Sequence, residues 1–463
     1  MDSRSENPTE LSSLPDYVLL MIIANLCFKD ALKTSVLSKK WRNISRRATN
    51  ISFKESECAT LSDSVNEDTK RIAFIHYVRD WVSKFTGFFV ETFEFCISKP
   101  VDIETFNLLI EFAVSKNVKN LILDFADRSW NYSDDAKAEA TSMLQLPECF
   151  YSLTNLESLS LSFCGFDPSK LVRLGSVKSL CFRWIQLNGI TSLLSKAPLL
   201  QSLRIKNCWN VDLESITDFN NRLTTLVFKN NRFSVPFSML DLPNIQKFKY
   251  SGQVHYFQFL QVNRSLEEAY LDFSEEVKYD EETGTQLCNL LYDLLSARTL
   301  TVCPFLLQLI QQSEDPIRLK APMETRQLIL KTSLLPDEYI GIRLLINSSP
   351  HLETLSLHIL LRRPHDMEPP SFDPDTYWSY EFNHKCLKKT LKVVEFWNFS
   401  GDMNELYLLK FLINYGRGLE RVDLYLPRGV QESARRIAHA TAQMVGTTFE
   451  RGSNRLGIYL HNG

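Results

Sequence analysis

The sequence predicts an α/β protein in which three N-terminal helices precede a solenoid of repeats with parallel inner strands. Two observations favour this fold class. The stretch YVLLMIIANL, residues 17–26, is apolar except for its asparagine. Farther along the chain, apolar side chains recur at a nearly constant interval, which is typical of repeat proteins. The chain is therefore expected to begin as a small helical unit and to continue as stacked strands.

Three short helices are predicted between residues 14 and 44. The first begins at Leu14-Pro15-Asp16, since a proline at the first helical position gives up an N–H that has no partner there. Asp30 is expected to cap the second helix and Ser38 the third. Short side chains with an oxygen accept hydrogen bonds from the free N–H groups at a helix start.

The first predicted helix has more apolar surface than one core contact would use. Val18, Ile22 and Leu26 line one face at i, i+4 spacing, whereas Leu20 and Met21 point elsewhere. A unit of about 40 residues cannot bury all of this surface by itself. Contiguous exposed apolar surface usually marks an interaction site. The second face is thus covered either by the rest of the chain or by a partner.

This segment resembles an F-box domain, especially the plant type. The matching residues are Leu14-Pro15-Asp16, Val18-Leu19, Ile22, Leu26, Lys29-Asp30-Ala31 and the run Thr34-Ser35-Val36-Leu37-Ser38-Lys39-Lys40-Trp41-Arg42. One departure is Cys27, where the family usually has a proline. In that family the helices bind a Skp-type adaptor, which joins the protein to a cullin ubiquitin ligase. The resemblance implies adaptor contacts at Leu14, Pro15, Leu19, Ile22, Leu26, Val36, Leu37 and Trp41.

The body of the chain contains a repeat. Residues 156–164, LESLSLSFC, fit the pattern L-x-x-L-x-L-x-x-C, which returns at 200–208 and, with a final asparagine, at 223–231. The central apolar residues of six consecutive copies are separated by 21, 23, 23, 22 and 21 residues: Leu159, Leu180, Leu203, Leu226, Phe248 and Ala269. Leucine-rich repeats have periods of ~20–29 residues. Further strands at uneven spacing are predicted at Phe93, Leu121, Leu300, Leu328, Leu355, Val394 and Val422.

Residues 362–384 interrupt the repeats with four prolines and are predicted to form a loop. Its aromatic residues are interpreted either as a docking patch or as an anchor to the same domain. The sequence from residue 385 resembles the FBD region found at the end of many plant F-box proteins, on the basis of Cys386-Leu387, Leu391-Lys392-Val393-Val394, Gly401, Glu405, Leu412 and Leu419-Glu420. The predicted domains are a disordered N-terminus at 1–10, the F-box at 11–52, leucine-rich repeats at 70–361, the proline and aromatic loop at 362–384, and an FBD-like region at 385–463 that continues or caps the repeats.

Composition argues against several functions. The net charge is -3, so no basic field indicates nucleic-acid binding. No glycine-rich nucleotide loop, zinc motif or hydrolase motif is present, and the apolar run at residues 17–26 is about half of a membrane span. We therefore expect no enzyme activity, cofactor, metal or membrane partner. The polar start lacks the features of a secretory signal, which predicts a location in the cytoplasm, the nucleus or both.

Cations are predicted along the outward face of the central strands, because side chains alternate along a strand. They are Arg183, Arg204, Lys206, Lys229, Lys247 and Lys249. Neighbouring strands lie ~4.8 Å apart, so these side chains would form a positive stripe. Either the stripe is a solvated surface, or it binds an acidic or phosphorylated segment of a target protein, for which arginine is well suited.

The resemblance implies a substrate receptor of an SCF-type (Skp adaptor, cullin, F-box) ubiquitin ligase. The F-box would bind the adaptor, and the repeats would bind a target protein. Catalysis would then arise from proximity, since the chain only brings the target close to a charged ubiquitin-conjugating enzyme. Two alternatives stay open: a leucine-rich-repeat scaffold without ligase assembly, and a small-molecule co-receptor of the hormone-sensing type.

Overall fold

The chain divides into two compact units, which are described separately. The first comprises Met1–Glu214 with Asn231–Val235, and the second comprises Ser215–Asn230 with Pro236–Gly463. The structure is a computed structural model. It describes residues 13–57, 66–98, 102–127, 129–130, 143–172, 174–216, 222–261, 263–273, 276, 281–310, 322–360, 373–379, 385–429 and 432–461. The predicted disordered segment 1–10 lies outside the described residues.

The first unit begins with the predicted helices. Its α-helices are α1 (Asp16–Ala24), α2 (Phe28–Lys33), α3 (Lys39–Ser45), α4 (Glu67–Ser83), α5 (Ile103–Ser115) and α6 (Ile190–Ser195). Its 3₁₀ turns are Thr34–Val36, Glu55–Glu57, Glu148–Ser152 and Pro168–Lys170. The predicted cap of the third helix is confirmed, because the Ser38 hydroxyl accepts a hydrogen bond from the backbone N–H of Trp41 at 3.3 Å.

The predicted cap of the second helix is wrong. Helix α2 begins at Phe28 with Cys27 as its N-cap residue, so Asp30 lies within the first turn. The Phe28 ring is buried, with its centroid 5.1 Å from Phe53 and 5.2 Å from Trp81. Because burial of this ring fixes where the helix starts, the Asp30 carboxylate is left to accept hydrogen bonds from side chains near it in sequence.

Parallel strands form the rest of the first unit. They are β1 (Asn50–Lys54), β2 (Thr92–Cys96), β3 (Asn120–Asp124), β4 (Ser158–Ser162), β5 (Ser179–Arg183) and β6 (Ser202–Lys206). Each strand pairs with the next one along the chain. One row of fully buried side chains crosses all six in register: Ile51, Phe93, Leu121, Leu159, Leu180 and Leu203. The predicted inward positions are confirmed, and β1 is an addition to them.

The second unit has a longer series of parallel strands. The strands are β7 (Ser215–Ile216), β8 (Thr225–Lys229), β9 (Phe237–Leu240), β10 (Lys247–Ser251), β11 (Tyr256–Phe259), β12 (Glu268–Asp272), β13 (Thr299–Val302), β14 (Gln327–Thr332), β15 (Thr354–Ile359), β16 (Val393–Trp397), β17 (Arg421–Tyr425) and β18 (Gly457–His461). The sheet order is β8, β10, β12 and then β13 through β18. Strands β7, β9 and β11 form a separate three-stranded sheet that the repeat pattern did not predict.

Helices connect the later strands of the second unit. They are α7 (Glu281–Asp293), α8 (Pro304–Leu309), α9 (Tyr339–Ser348), α10 (Pro374–Ser379), α11 (Lys385–Lys389), α12 (Met403–Tyr415) and α13 (Glu432–Thr448), with a 3₁₀ turn at Pro336–Glu338. Helix α10 corrects the prediction that residues 362–384 hold no regular element, since a proline at the first helical position costs no hydrogen bond. The other residues of that loop, except Asp373, lie outside the described residues. Strands β16–β18 continue the sheet, so the region from residue 385 extends the repeats.

The residue that follows a strand repeatedly adopts a left-handed backbone. Phe163, Trp184 and Asn207 follow β4, β5 and β6 with φ of 53°, 54° and 52°. Asparagine adopts this conformation readily, whereas an aromatic residue there is strained. Packing offsets that strain, because the Trp130 ring lies 4.6 Å from the Phe163 ring and 5.5 Å from the Trp184 ring, centroid to centroid.

Candidate functional site

The N-terminal helices leave part of their predicted contact surface uncovered. Val36 and Leu37, between α2 and α3, expose 80% and 51% of their surface. Pro15 is also exposed, and three more of the predicted contact residues are half-buried: Leu14, Ile22 and Leu26. Since an exposed apolar residue forms few contacts within its own chain, these six residues are available to a partner.

Two of the predicted adaptor contacts are core residues. Leu19 is fully buried and Trp41 is 2% exposed. They belong to α1 and α3, which pack against each other. In the free chain neither side chain is open to a partner, and contact of Leu19 and Trp41 with an adaptor stays a prediction. Their structural role is to fix the relative position of the two helices, and a motif match alone does not distinguish that role from direct contact.

The predicted adaptor contacts leave out two exposed residues on α1. Tyr17 and Met21 lie one helical turn apart and expose 68% and 62% of their surface. Met21 also lines a groove of about 290 Å³, together with Ala24, Phe88 and Phe89. Those two rings are 90% and 60% exposed. The i, i+4 spacing of Tyr17 and Met21 was the signal that could have identified them.

Polar contacts hold the start of α1 against α3. The Lys40 ammonium donates a hydrogen bond to the backbone oxygen of Leu14 at 2.6 Å. The same ammonium lies 3.5 Å from the Asp16 carboxylate, and the Arg47 guanidinium lies 3.9 Å from it. These ion pairs are exposed and contribute little to stability. Their effect is positional, because they keep the Leu14-Pro15 segment next to α3.

Three of the predicted target-binding cations lie on adjacent strands of the first unit. Arg183 on β5 is in register with Lys206 on β6, and Cys181 is in register with Arg204. The Arg183 guanidinium lies 3.5 Å from the Asp124 carboxylate, with both side chains partly exposed. Arg204 is exposed and forms no ion pair with any residue described in the first unit. The cations therefore share one face of the strands, as predicted within this unit.

The cations of the second unit are partly neutralised. Lys229 on β8 is exposed and lies in register with Ser251. The Glu268 carboxylate, however, lies 2.5 Å from the Lys249 ammonium and 3.8 Å from that of Lys247. The prediction counted no acidic residue there, because Glu268 belongs to the next repeat. Lys247 and Lys249 are thus less available to an acidic ligand than Lys229.

The cysteines and the asparagine that end the first repeats are structural. Cys164 is fully buried, and burial raises the pKa of its thiol far above the usual range. The amide of Asn231 joins two neighbouring segments by accepting a hydrogen bond from the backbone N–H of Cys208 and donating one to the backbone oxygen of Ile205. These contacts satisfy buried backbone groups at the strand ends.

Two buried carboxyl groups have perturbed acidities. Burial raises the pKa of Glu338 to about 8 and that of Glu405 to about 7. Shifts of this kind are found in catalytic sites as well as in structural networks. Glu405 accepts hydrogen bonds from the backbone N–H groups of Ser400 and Gly401 at 2.9 and 2.8 Å, and Glu338 accepts from Ser333 in the same way. Both carboxyl groups accept hydrogen bonds from the turn that follows a strand, so they serve as caps of that turn.

In the described part of the chain, no three histidine, cysteine or acidic side chains come together as metal ligands would. Over the same residues, no helix is long and apolar enough to cross a membrane. His351 and His358, spaced by seven residues in the sequence, lie before and within β15, and His365 lies outside the described residues.

Comparison with known proteins bears on both parts of the chain. Residues 11–51 match the F-box domain family, and residues 82–445 match the family described as At1g61320/AtMIF1, LRR domain. The chain is similar to F-box protein At3g62230 of Arabidopsis thaliana, with 49% identity over 446 residues, which is 96% of this chain and 97% of that protein. It is also similar to Putative F-box/LRR-repeat protein At5g54820 of the same plant, with 43% identity over 97% of each chain. Putative F-box/LRR-repeat protein At1g56400, also from Arabidopsis thaliana, is 42% identical over 94% of each chain.

Proposed function

The chain belongs to the plant F-box/leucine-rich-repeat proteins, and on this basis we propose that it is the substrate-recognition subunit of an SCF-type ubiquitin ligase. One observation supports the proposal most directly: the segment that matches the F-box domain has an uncovered apolar surface. Val36 and Leu37 form one part of it, and Tyr17 and Met21 form another. A Skp-type adaptor is the partner that such a surface would take in this family.

Burial of this surface would supply the binding free energy. Covering an apolar side chain of this size contributes about 1.5–3 kcal/mol. The burial free energy of a few such residues exceeds the entropic cost of association only when the residues are held in place before binding. The contacts of Lys40 with Leu14 and Asp16 provide that order in the free chain.

The chain itself performs no bond-breaking step in this proposal. It binds the adaptor through α1–α3 and a target protein through its strand faces, and the adaptor links it to a cullin. The rate of ubiquitin transfer then rises because a target lysine is kept close to the charged conjugating enzyme, which replaces a bimolecular encounter. The Glu338 and Glu405 carboxyl groups cap turns and have no part in the transfer.

Target capture is assigned to the outward cations of the strands. In the first unit these are Arg183, Arg204 and Lys206, and in the second they are Lys229, Lys247 and Lys249. The Arg183–Asp124 pair is long and partly exposed, so a phosphate or carboxylate of the target could replace Asp124 at little cost. Arginine donates two parallel hydrogen bonds to such groups, which favours an acidic or phosphorylated segment.

The test is co-expression of the full chain with a Skp-type adaptor and a cullin. The wild-type chain is expected to purify with both, and the double variant Val36→Asp/Leu37→Asp is expected to purify with neither. Val172→Asp is the matched control, because Val172 is 76% exposed but lies outside the F-box segment. Circular dichroism should show that all three chains are folded.

The outcomes separate the alternatives. A folded wild-type chain that captures no adaptor would contradict the proposal and favour a repeat scaffold without ligase assembly. Equal capture by the wild-type chain and the Val36→Asp/Leu37→Asp variant would show that the adaptor does not use this surface. A phosphate-rich small molecule that purifies with the chain would favour the hormone-type co-receptor.

A further inference from the structure

Four ring-bearing side chains form a ladder on the outward face of the second unit. His358, Trp397, Tyr425 and His461 lie in register on β15, β16, β17 and β18. Consecutive ring centroids are 5.7, 3.8 and 4.5 Å apart, and the interplanar angles are 33°, 5° and 18°. Aromatic rings that stack in this way are held rigidly, so the ladder is a preorganised surface. Trp397 remains 37% exposed.

A carboxylate lies beside the ladder. Glu395 occupies the preceding outward position on β16, where its Oε2 accepts hydrogen bonds from the Ser356 hydroxyl at 2.7 Å and from the Trp397 indole N–H at 3.3 Å. Both donors engage the same oxygen. Among the described residues, none donates a hydrogen bond to Oε1, and no cation lies within ion-pair distance of this carboxylate.

The neighbouring carboxylate provides a contrast. Asp423, in register with Glu395 on β17, lies 2.6 Å from the Arg421 guanidinium and 2.6 Å from the His461 imidazole. Its side chain is only 1% exposed, so its charge is satisfied within the unit. Glu395 is half-buried and lacks such a partner in the described structure. The Glu395 carboxylate beside exposed Trp397 can therefore accept a further hydrogen bond from a partner.

We propose that the ladder and Glu395 together bind an extended segment of the target protein through an arginine side chain. The Glu395 carboxylate would attract a cation, and its Oε1 could accept a hydrogen bond. A guanidinium supplies both and is also planar and weakly hydrated, which suits a position against aromatic rings better than a lysine ammonium does. The same chemistry occurs within this sheet, where the Arg421 guanidinium lies 5.5 Å from the centroid of the Tyr459 ring.

The size of the ladder fits a short peptide. Strands lie ~4.8 Å apart, so its four rings extend over about 14 Å. An extended chain advances ~3.3 Å per residue, and about four target residues would cross the ladder. This inference deepens the proposed function, because it names the chemistry of a target segment. It does not depend on adaptor binding, which uses the other unit.

The experiment is selection from a phage-displayed library of short random peptides on the full-length chain, followed by fluorescence anisotropy with labelled copies of the selected peptides. Peptides with one arginine at a fixed position are expected to be enriched. Replacement of that arginine by citrulline, which keeps the shape but removes the charge, is expected to weaken binding about tenfold, the effect of losing one charge-assisted hydrogen bond. Replacement by lysine is expected to weaken it by a smaller factor.

Variants of the chain provide the controls. Glu395→Gln keeps an oxygen for Ser356 and Trp397, so it should fold normally while losing the preference for arginine over citrulline. Glu353→Gln is the matched control, because the Glu353 carboxylate already pairs with the Arg326 guanidinium at 3.0 Å. It should retain wild-type binding. If Trp397→Ala does not fold, Trp397→Phe keeps the ring and is expected to bind more weakly than the wild-type chain.

Two results would overturn the inference. One is a selection in which no enriched peptide carries an arginine at a fixed position. The other is equal affinity of the wild-type and Glu395→Gln chains for the arginine peptides. Adaptor capture, measured in parallel on the same preparations, keeps this inference separate from the proposed function. A chain that captures the adaptor and selects no arginine peptide retains that function without this site.

Discussion

The side-chain oxygen of Asn231 accepts a hydrogen bond from the backbone N–H of Cys208 at 3.0 Å, and its amide nitrogen donates to the backbone oxygen of Ile205 at 2.8 Å. One buried side chain thus satisfies two backbone groups that lie at the end of β6. Hydrophobic side chains of similar volume could fill the space but could not replace these bonds.

Asn231→Leu is therefore expected to destabilise the first unit by about 1–3 kcal/mol, because two buried backbone groups lose their partner. The measurement is urea unfolding followed by tryptophan fluorescence. Asn188→Leu is the control, since Asn188 is exposed. Equal midpoints for the two variants would show that the Asn231 bonds contribute no net stability.

The double variant Leu14→Ala/Pro15→Ala is expected to lose adaptor binding while the chain stays folded, since these residues lie at the surface. Leu19→Ala should act differently. It creates a core cavity and should lower the free energy of unfolding by about 2–5 kcal/mol. Pull-down with the adaptor and thermal unfolding of both variants distinguish the two effects. Wild-type adaptor capture by Leu14→Ala/Pro15→Ala would remove this segment from the interface.

Charge reversal at Arg204, Lys206 and Lys229 together is expected to prevent target turnover without affecting adaptor capture. The physical reason is repulsion of an acidic or phosphorylated target segment by side chains that previously attracted it. The candidate targets are the proteins that become more stable when this chain is removed from cells. The measurement is their half-life in cells that carry the wild-type chain or the triple variant. Unchanged half-lives would identify these cations as solvated surface.

Glu405 is expected to make stability depend on pH. Its pKa rises from an ordinary value near 4.5 to about 7 on folding, mainly through burial. The folded chain thus retains a proton that the unfolded chain releases, and stability falls as pH rises from about 4.5 to 7, by up to about 1.4 kcal/mol per pH unit. Above pH 7 this contribution is lost.

Glu405→Gln tests that dependence, because glutamine does not titrate. The difference in the free energy of unfolding between the variant and the wild-type chain is expected to change across pH 4.5–7 and to be constant above it. The measurement is urea unfolding at several pH values. A difference that is the same at every pH would show that Glu405 has its ordinary acidity. Glu338, whose pKa is raised in the same direction, contributes equally to both chains.

Gly341→Ala is expected to destabilise the second unit. A Cβ atom at position 341 would lie 2.2 Å from the backbone oxygen of Leu307, so α9 and α8 would have to move apart. Overpacking of this kind costs about 1–3 kcal/mol. Gly446→Ala is the matched control on α13, where a Cβ atom would meet no other atom within 4 Å. It should raise stability by about 0.5–1 kcal/mol through helix propensity. The measurement is the thermal unfolding midpoint of each variant compared with that of the wild-type chain.

The inward rows of the sheet could be predicted because leucine spacing reports strand register directly. Every inward position that the repeat pattern identified, from Phe93 to Val422, lies on a strand in the expected place. Strands β1 and β18 were missed because Ile51 lies 42 residues before Phe93 and Ile458 lies 36 residues after Val422, both longer separations than the 21–23 residues of the central repeats. The strands of the three-stranded sheet do not carry the leucine pattern, so the interval between apolar residues did not predict them.

The functional surfaces were harder to predict. The F-box motif identified which residues matter, but the division between core and contact depends on how α1 is rotated against α3. For that reason Leu19 was assigned to the surface and Tyr17 was overlooked. The ring ladder could have been found by sequence alignment of the strands. Trp397 and Tyr425 each lie three residues after an inward valine, Val394 and Val422. The outward columns were followed only through the central repeats.

The parallel register of the second unit also bears on how the chain loses its structure. Each strand from β13 to β17 pairs with its two neighbours in the sheet. Loss of structure in one strand therefore destabilises the adjacent strands most. A cavity made at Leu328 should therefore speed hydrogen exchange in β13, β14 and β15 while amides of β17 remain protected. Melting of such an array need not be all-or-none, and a single midpoint would then average over strands that open at different denaturant concentrations.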